Sequence, residues 1–150
     1  MDPGNDVIVL LSGLKTATNS DFAGIAWRKD EEGDIVWKYV LGNRNDRYKR
    51  MVKRHGQGVV GLTMRHGRPM VVTDPGTSEA ELKNSPILLA EGLLSAVTAP
   101  IMREGRVVGV LLLGRRTALQ YEQEQTLLIE EAAGHLHPLA DPAETLTDIS

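Results

Sequence analysis

The stretch whose residue types could do chemistry is Gly56-Gln57-Gly58-Val59-Val60-Gly61-Leu62. A glycine-rich turn that opens a short apolar helix leaves its first backbone N–H groups without partners, and the helix dipole favours an anion there. Upstream, Ile35-Val36-Trp37-Lys38-Tyr39-Val40 is an extended run carrying one indole donor. Trp37 can close an apolar wall as a core aromatic or present its N–H to a ligand. Downstream, Ser85-Pro86-Ile87 reads as a second helix start, serine as cap and proline at the first position. No catalytic set lies near the glycine turn, so the pattern favours a small-ligand receptor over an enzyme.

Other reactive residues form no set. The chain has no cysteine, which removes disulfides, thiol catalysis and cysteine–metal sites. His135 and His137 are two apart and would leave a helix on different sides. His55 and His66 flank the glycine helix without a third ligand nearby, so no zinc-like spacing exists. Glu122, Glu124, Glu130 and Glu131 read as the wet face of an amphipathic helix. Ser95 reads as packing within a strand, and Trp27 as packing on the partner strand of Trp37.

The chain has 150 residues, 41% of them hydrophobic and 25% charged, with a net charge of −3. That suits one globular domain and offers no electrostatic case for nucleic acid. The local basic cluster Arg44, Arg47, Lys49, Arg50, Lys53 and Arg54 reads as a solvated face or an anion-attracting rim. No apolar run is long enough to cross a membrane, and the N-terminus lacks the basic start of a signal peptide. A cytoplasmic protein is expected.

The elements that must position these residues follow from periodicity. Asp6 is expected to cap a helix running to about Thr18, with Val7, Leu10, Leu11, Leu14 and Ala17 on its apolar side. Phe22–Lys29 and Ile35–Leu41 form a hairpin across residues 30–34. Strict alternation would put Ile35, Trp37, Tyr39 and Leu41 on one face. A short helix over Asp46–Val52, the glycine helix Val59–His66 ended by Gly67, and a strand Arg68–Thr73 follow. A loop over 74–78, a helical turn over 79–83 and the Ser85 helix complete the middle. Leu94–Met102 and Val107–Gly114 form a second hairpin. The last helix runs from Tyr121 to about His137, with Leu128, Ala132 and Leu136 on a buried stripe and Ile129 beside it. The tail 141–150 is polar and expected to fray. The order implies an α+β fold with terminal helices packed on one face of an antiparallel sheet. The long middle segment from Gly42 to Gly92 is where a binding site is expected.

With its pieces in this order the chain resembles a GAF domain. The matching segments are Gly56–Gly61, Gly67–Asp74, Leu94–Ile101, Gly105–Leu111 and the closing helix after Tyr121-Glu122. They span about Ile8 to Leu139 and are specific as a set. Within the family, Trp37–Val40 followed by Gly42–Lys49 resembles the NreA-type nitrate receptors. The resemblance implies a GAF-like antiparallel sheet, terminal helices on one face and a ligand pocket on the other, as one domain with its core over about 6–139. It implies a nitrate or similar small-anion site built from Trp37, the amides of Val59 and Val60, and Ser85, Pro86 and Ile87. The residues themselves, with no catalytic set and no ligand spacing, lead to the expectation of no enzymatic activity, no cofactor and no metal, and the resemblance implies a sensor histidine kinase as partner in two-component signalling. Val60 departs from the pattern, where a smaller residue is expected, and its branched side chain would narrow the pocket or alter selectivity. The alternative is a GAF module for another small molecule, such as an amino acid or nucleotide. Free methionine sulfoxide reduction, known in some single GAF domains, and bilin attachment both need cysteine and are excluded by its absence. A homodimer is left open.

Overall fold

A computed structural model of the protein describes residues 3–28, 34–51, 53–54, 58–73 and 85–136. Its elements are α1 (Pro3–Ala17), β1 (Phe22–Arg28), β2 (Asp34–Leu41), a 3₁₀ turn (Arg47–Arg50), β3 (Lys53–Arg54), α2 (Gly58–His66), β4 (Met70–Thr73), α3 (Pro86–Glu91), β5 (Ser95–Arg103), β6 (Arg106–Arg115) and α4 (Gln123–Leu136). The strands form one six-stranded sheet in the order β3-β2-β1-β6-β5-β4. Each pairing is antiparallel.

Period-two alternation divides the sheet between two cores. On one face Ala23, Ile25, Trp27, Val97, Ala99, Ile101, Leu111 and Leu113 meet Val7, Leu11 and Leu14 of α1 and Ile129, Ala132, Ala133 and Leu136 of α4. This is the face expected to carry the terminal helices. On the other face Phe22, Ala26, Ile35, Trp37, Ala96, Val110 and Leu112 meet Val59 and Val60 of α2 and Ile87 and Leu88 of α3. Helices from the middle segment therefore cover the second face.

Some expectations need correction. The alternation of β2 breaks at Lys38. Ala26 pairs with Trp37, but the preceding Ile25 pairs with Tyr39, so Lys38 is the extra residue of a β-bulge. The bulge keeps Ile35 and Trp37 in the second core and sends Tyr39 and Leu41 towards the first. The four residues do not share a face. Asp6 lies within the first turn of α1 rather than capping it, where its charge still complements the dipole. Leu128 is 37% exposed, and the buried stripe of α4 is Ile129, Ala132, Ala133 and Leu136. Tyr121 precedes α4, Leu94 precedes β5, Arg68 precedes β4, and the helix expected over 46–52 shrinks to the 3₁₀ turn. The elements expected over 74–83, the tail, His55 and His137 lie outside the described residues.

One buried cation ties the terminal helices to the sheet. Arg115, at the end of β6, is 5% exposed. It donates from Nη2 to Thr18 O (2.6 Å), from Nε to Asn19 O (3.1 Å), and from Nη1 to Leu119 O (2.9 Å) and Gln120 O (3.1 Å). Its guanidinium lies 4.0 Å from the centre of the Tyr121 ring, a cation–π contact. The charge is met by carbonyl dipoles, two of them just beyond the C-terminal end of α1, where a cation is favoured. The Tyr121 hydroxyl continues the network to Ser20 Oγ (2.6 Å) and from there to Thr18 Oγ1 (2.8 Å).

Burial pushes the Tyr121 phenol up to about 12, with the Ser20 hydrogen bond and Arg115 opposing the shift. A folded-state value above the unfolded one means that the unfolded chain loses this proton first. The contribution of Tyr121 to stability is complete below about pH 10 and is lost as the pH rises towards 12. An absorbance titration should show a tyrosine ionising near pH 12 that is missing in Tyr121→Phe. Absence of that late step in the native protein would refute this placement of the phenol.

Candidate functional site

The beginnings of α2 and α3 meet. Gly58, the first residue of α2, has φ +75°, and a Cβ there would collide with Ser85 Cα and Oγ. Only glycine meets both demands. Ser85 occupies the N-cap position of α3 with extended backbone angles, but its side chain makes no cap within its own helix. Its Oγ instead accepts the Val59 N–H at 2.8 Å. Ser85 thus caps α2 from a segment 26 residues away, and Pro86 opens α3 behind it. The helix is ended by Gly92, whose φ is +65° and whose N–H bonds Leu88 O.

Helix α2 is held at its other side by a threonine pair. Thr63 Oγ1 donates to Val59 O (2.8 Å) and lies 2.5 Å from Thr98 Oγ1 on β5. Thr98 Oγ1 also accepts the Met70 N–H (3.2 Å). Val59, Thr63 and Thr98 are fully buried, and Val60 is nearly so. The N–H of Val60, in the first turn of α2, has no intrahelical acceptor by helix geometry.

Trp37 packs in the same core as Val59, Val60 and Ile87. Its ring meets Phe22 edge to face, 6.2 Å between centroids at 78°, a favourable aromatic geometry. It is 8% exposed. Tyr48 and Met51 pack against this core from the 3₁₀ turn and the residue after it. Arg47, Lys49 and Arg50 of that turn are exposed, with Lys49 in a surface pair with Asp46 at 3.8 Å.

The structure therefore brings Trp37, Val59, Val60 and Ile87 into one buried cluster, joins Ser85 to Val59, and leaves Pro86 half-buried at the start of α3. Sequence reasoning missed Phe22, whose ring fixes Trp37, and the Ser85–Val59 bond. The positive-φ demand at Gly58 was the available signal for a close approach. It does not name the approaching segment. Ser95 Oγ donates to Leu119 O at 2.8 Å, in keeping with packing. Glu122, Glu124, Glu130, Glu131, His66 and His135 are exposed. Among the described residues no three His, Asp or Glu side chains converge on a metal position. The chemistry this cluster offers is neutral N–H donation inside an apolar wall.

Comparison with known proteins agrees with this architecture. The family model described as a GAF domain matches residues 9–137. The chain is similar to a solved structure of an NreA protein from Staphylococcus aureus mutated in its nitrate binding site. Identity is 31% and the TM-score 0.70, over 80% of this chain and 90% of that one. A second structure of mutated NreA from S. aureus gives 30% identity and a TM-score of 0.69, over 83% and 98%. The GAF domain of a phosphoenolpyruvate-protein phosphotransferase from Coxiella burnetii shares the fold, with 20% identity and a TM-score of 0.78 over 91% and 81%. No curated protein matches the chain.

Removing the Ser85 hydroxyl orphans the buried Val59 N–H. Ser85→Ala should lower unfolding free energy by about 1–3 kcal/mol in urea titrations. Gly58→Ala should cost more, since it adds a collision to an unfavourable φ. Two variants of native stability would show that the segments do not meet in this way.

Proposed function

The chain belongs to the GAF domain family, and on that premise we propose that it is a receptor for nitrate or a similar small anion. The observation that carries this reading is the gathering of Trp37 in one buried cluster with Val59, Val60 and Ile87 at the first turns of α2 and α3. A buried anion needs donors to replace its hydration. Nitrate is planar, singly charged and weakly basic, so neutral donors in an apolar wall suit it. In this reading the indole of Trp37 and the Val60 amide donate to the ligand. Ser85 orients Val59, and Pro86 and Ile87 bring the start of α3 to the site. Similarity to NreA proteins mutated in a nitrate binding site supports the same ligand. The Val60 side chain, 4% exposed, borders the donors and would set how large an anion enters.

The receptor is proposed to act in the cytoplasm on a sensor histidine kinase. It has no evident catalytic set of its own, so its output would pass through a partner that distinguishes its free and bound states. The nitrate-free form is proposed to restrain kinase autophosphorylation and nitrate to relieve the restraint. Linkage then requires the kinase to shift nitrate affinity by the same factor.

Nitrate should raise the melting temperature more than chloride at equal ionic strength, because a ligand of the native state stabilises by mass action. Trp37→Phe keeps the edge contact with Phe22 and deletes the donor, and should weaken nitrate binding by about 1–3 kcal/mol. Val60→Ala should change the ratio of nitrate to nitrite affinity. Equal melting shifts for both salts would remove the ligand assignment. For the output, nitrate is titrated against kinase autophosphorylation with and without the receptor. An unresponsive kinase would remove the regulatory part and leave the ligand part standing.

A further inference from the structure

We infer that Glu91 is a positioning residue for the candidate site, acting through α3 from the end opposite Ser85. Glu91 is the last residue of α3 and its side chain is fully buried. Its Oε1 accepts the backbone N–H of Arg44 (2.7 Å) and a bond from Arg116 Nη2 (2.6 Å). Arg116 also donates from Nε to the Glu91 carbonyl (2.9 Å) and from Nη2 to Gly42 O (3.0 Å). The backbone N–H of Arg116 is held by Asp21 Oδ2 (2.8 Å). The preceding carbonyl, Ala90 O, accepts Arg44 Nε (3.0 Å) and Asn45 Nδ2 (2.8 Å). The chain leaves α3 at Gly92, where a Cβ would strike the Arg44 guanidinium.

These bonds join four segments at one point: the end of α3, the exit of β2 at Gly42–Asn45, the residue after β6 and the residue before β1. The strand that carries Trp37 and the helix that begins at Ser85 are therefore fastened to each other at Glu91. Helix α3 has six residues, about 9 Å at 1.5 Å per residue. A strut so short carries a displacement of Glu91 to Ser85 with little bending. Ser85 in turn holds the Val59 N–H.

The second oxygen, Oε2, is buried without a hydrogen-bond partner among the described residues. Such an atom is costly, and a well-packed apolar side chain in place of a buried ion pair is often as stable. Stability alone therefore gives no reason for a carboxylate here. Geometry does: one oxygen fixes a backbone N–H and a guanidinium at once. No apolar side chain could hold α3 to both.

The structural part of this inference stands on the bonds above, and the ligand part rests on the proposed nitrate site. The test uses Glu91→Gln, which keeps the size and removes the charge. Arg116→Lys keeps the charge at a partly exposed position and removes the fork, so it serves where Glu91→Gln does not fold. Glu130→Gln, exposed on α4, is the control for loss of one negative charge. Hydrogen exchange at the Val59 amide should speed up by about tenfold beyond any change at the Leu112 amide of the central strand β6, which reports global opening. Nitrate affinity should fall by about three- to thirty-fold in a variant that remains folded. Glu130→Gln should change neither. If Val59 exchange follows Leu112 in Glu91→Gln and Arg116→Lys alike, Glu91 is a stability residue and the inference fails. If Val59 is loosened but the native protein binds no nitrate, the strut stands and the nitrate reading fails. If Val59 is loosened and nitrate affinity is unchanged, Glu91 does not position the site.

Discussion

The approach of Gly58 to Ser85 is the constraint on which the second face of the sheet depends. Two chain segments pass with no room for a Cβ between them, and one hydroxyl takes the first available amide of α2. That contact fixes where two helices begin. Both beginnings present N–H groups, and like partial charges brought together are unfavourable unless an acceptor lies between them. The serine oxygen supplies part of that acceptor. In the proposed function the Val60 amide and the Trp37 indole donate to an anion that completes the set.

Around this point the fold handles charge in a consistent way. Arg115 and Glu91, the two charged residues that are buried among those described, both lie at the ends of elements. Arg115 is satisfied by carbonyls from the end of α1 and the approach to α4, so it binds the terminal helices to the sheet. Glu91 is satisfied by a backbone amide and by Arg116, so it binds the middle helix to the exit of β2. One charge organises each face. Between them the sheet interior is mostly apolar, and its buried hydroxyls are bonded: Thr63 pairs with Thr98, and Ser95 donates to Leu119 O.

What could be read from residue types was local. The strands, the glycine helix, the Ser85-Pro86 helix start and the terminal helices follow from periodicity and capping chemistry, which act within a few residues. The GAF family membership was legible from the set of segments together. The misreadings came from tertiary events. A single bulged residue, Lys38, turns Tyr39 and Leu41 to the opposite face, and an alternating pattern contains no mark of it. Leu128 is apolar by type, yet its place on α4 is set by how that helix lies on the sheet. Ser85 looked like a cap for its own helix and caps another. Glu91 stands in an ordinary amphipathic run, and its burial is created by Arg44 and Arg116 from distant segments. The residues proposed for the site were identified through the resemblance. The structure gathers Trp37, Val59, Val60 and Ile87 in one cluster and joins Ser85 to Val59.

The most direct measurement of the central claim is a nitrate titration of ¹⁵N-labelled protein followed by the N–H resonances themselves. Direct donation predicts saturable shifts of the Trp37 indole and Val60 amide resonances, larger with nitrate than with chloride. The Trp27 indole, buried on the opposite face, should stay in place. Shifts that leave Trp37 and Val60 untouched, or that chloride reproduces, would contradict the account.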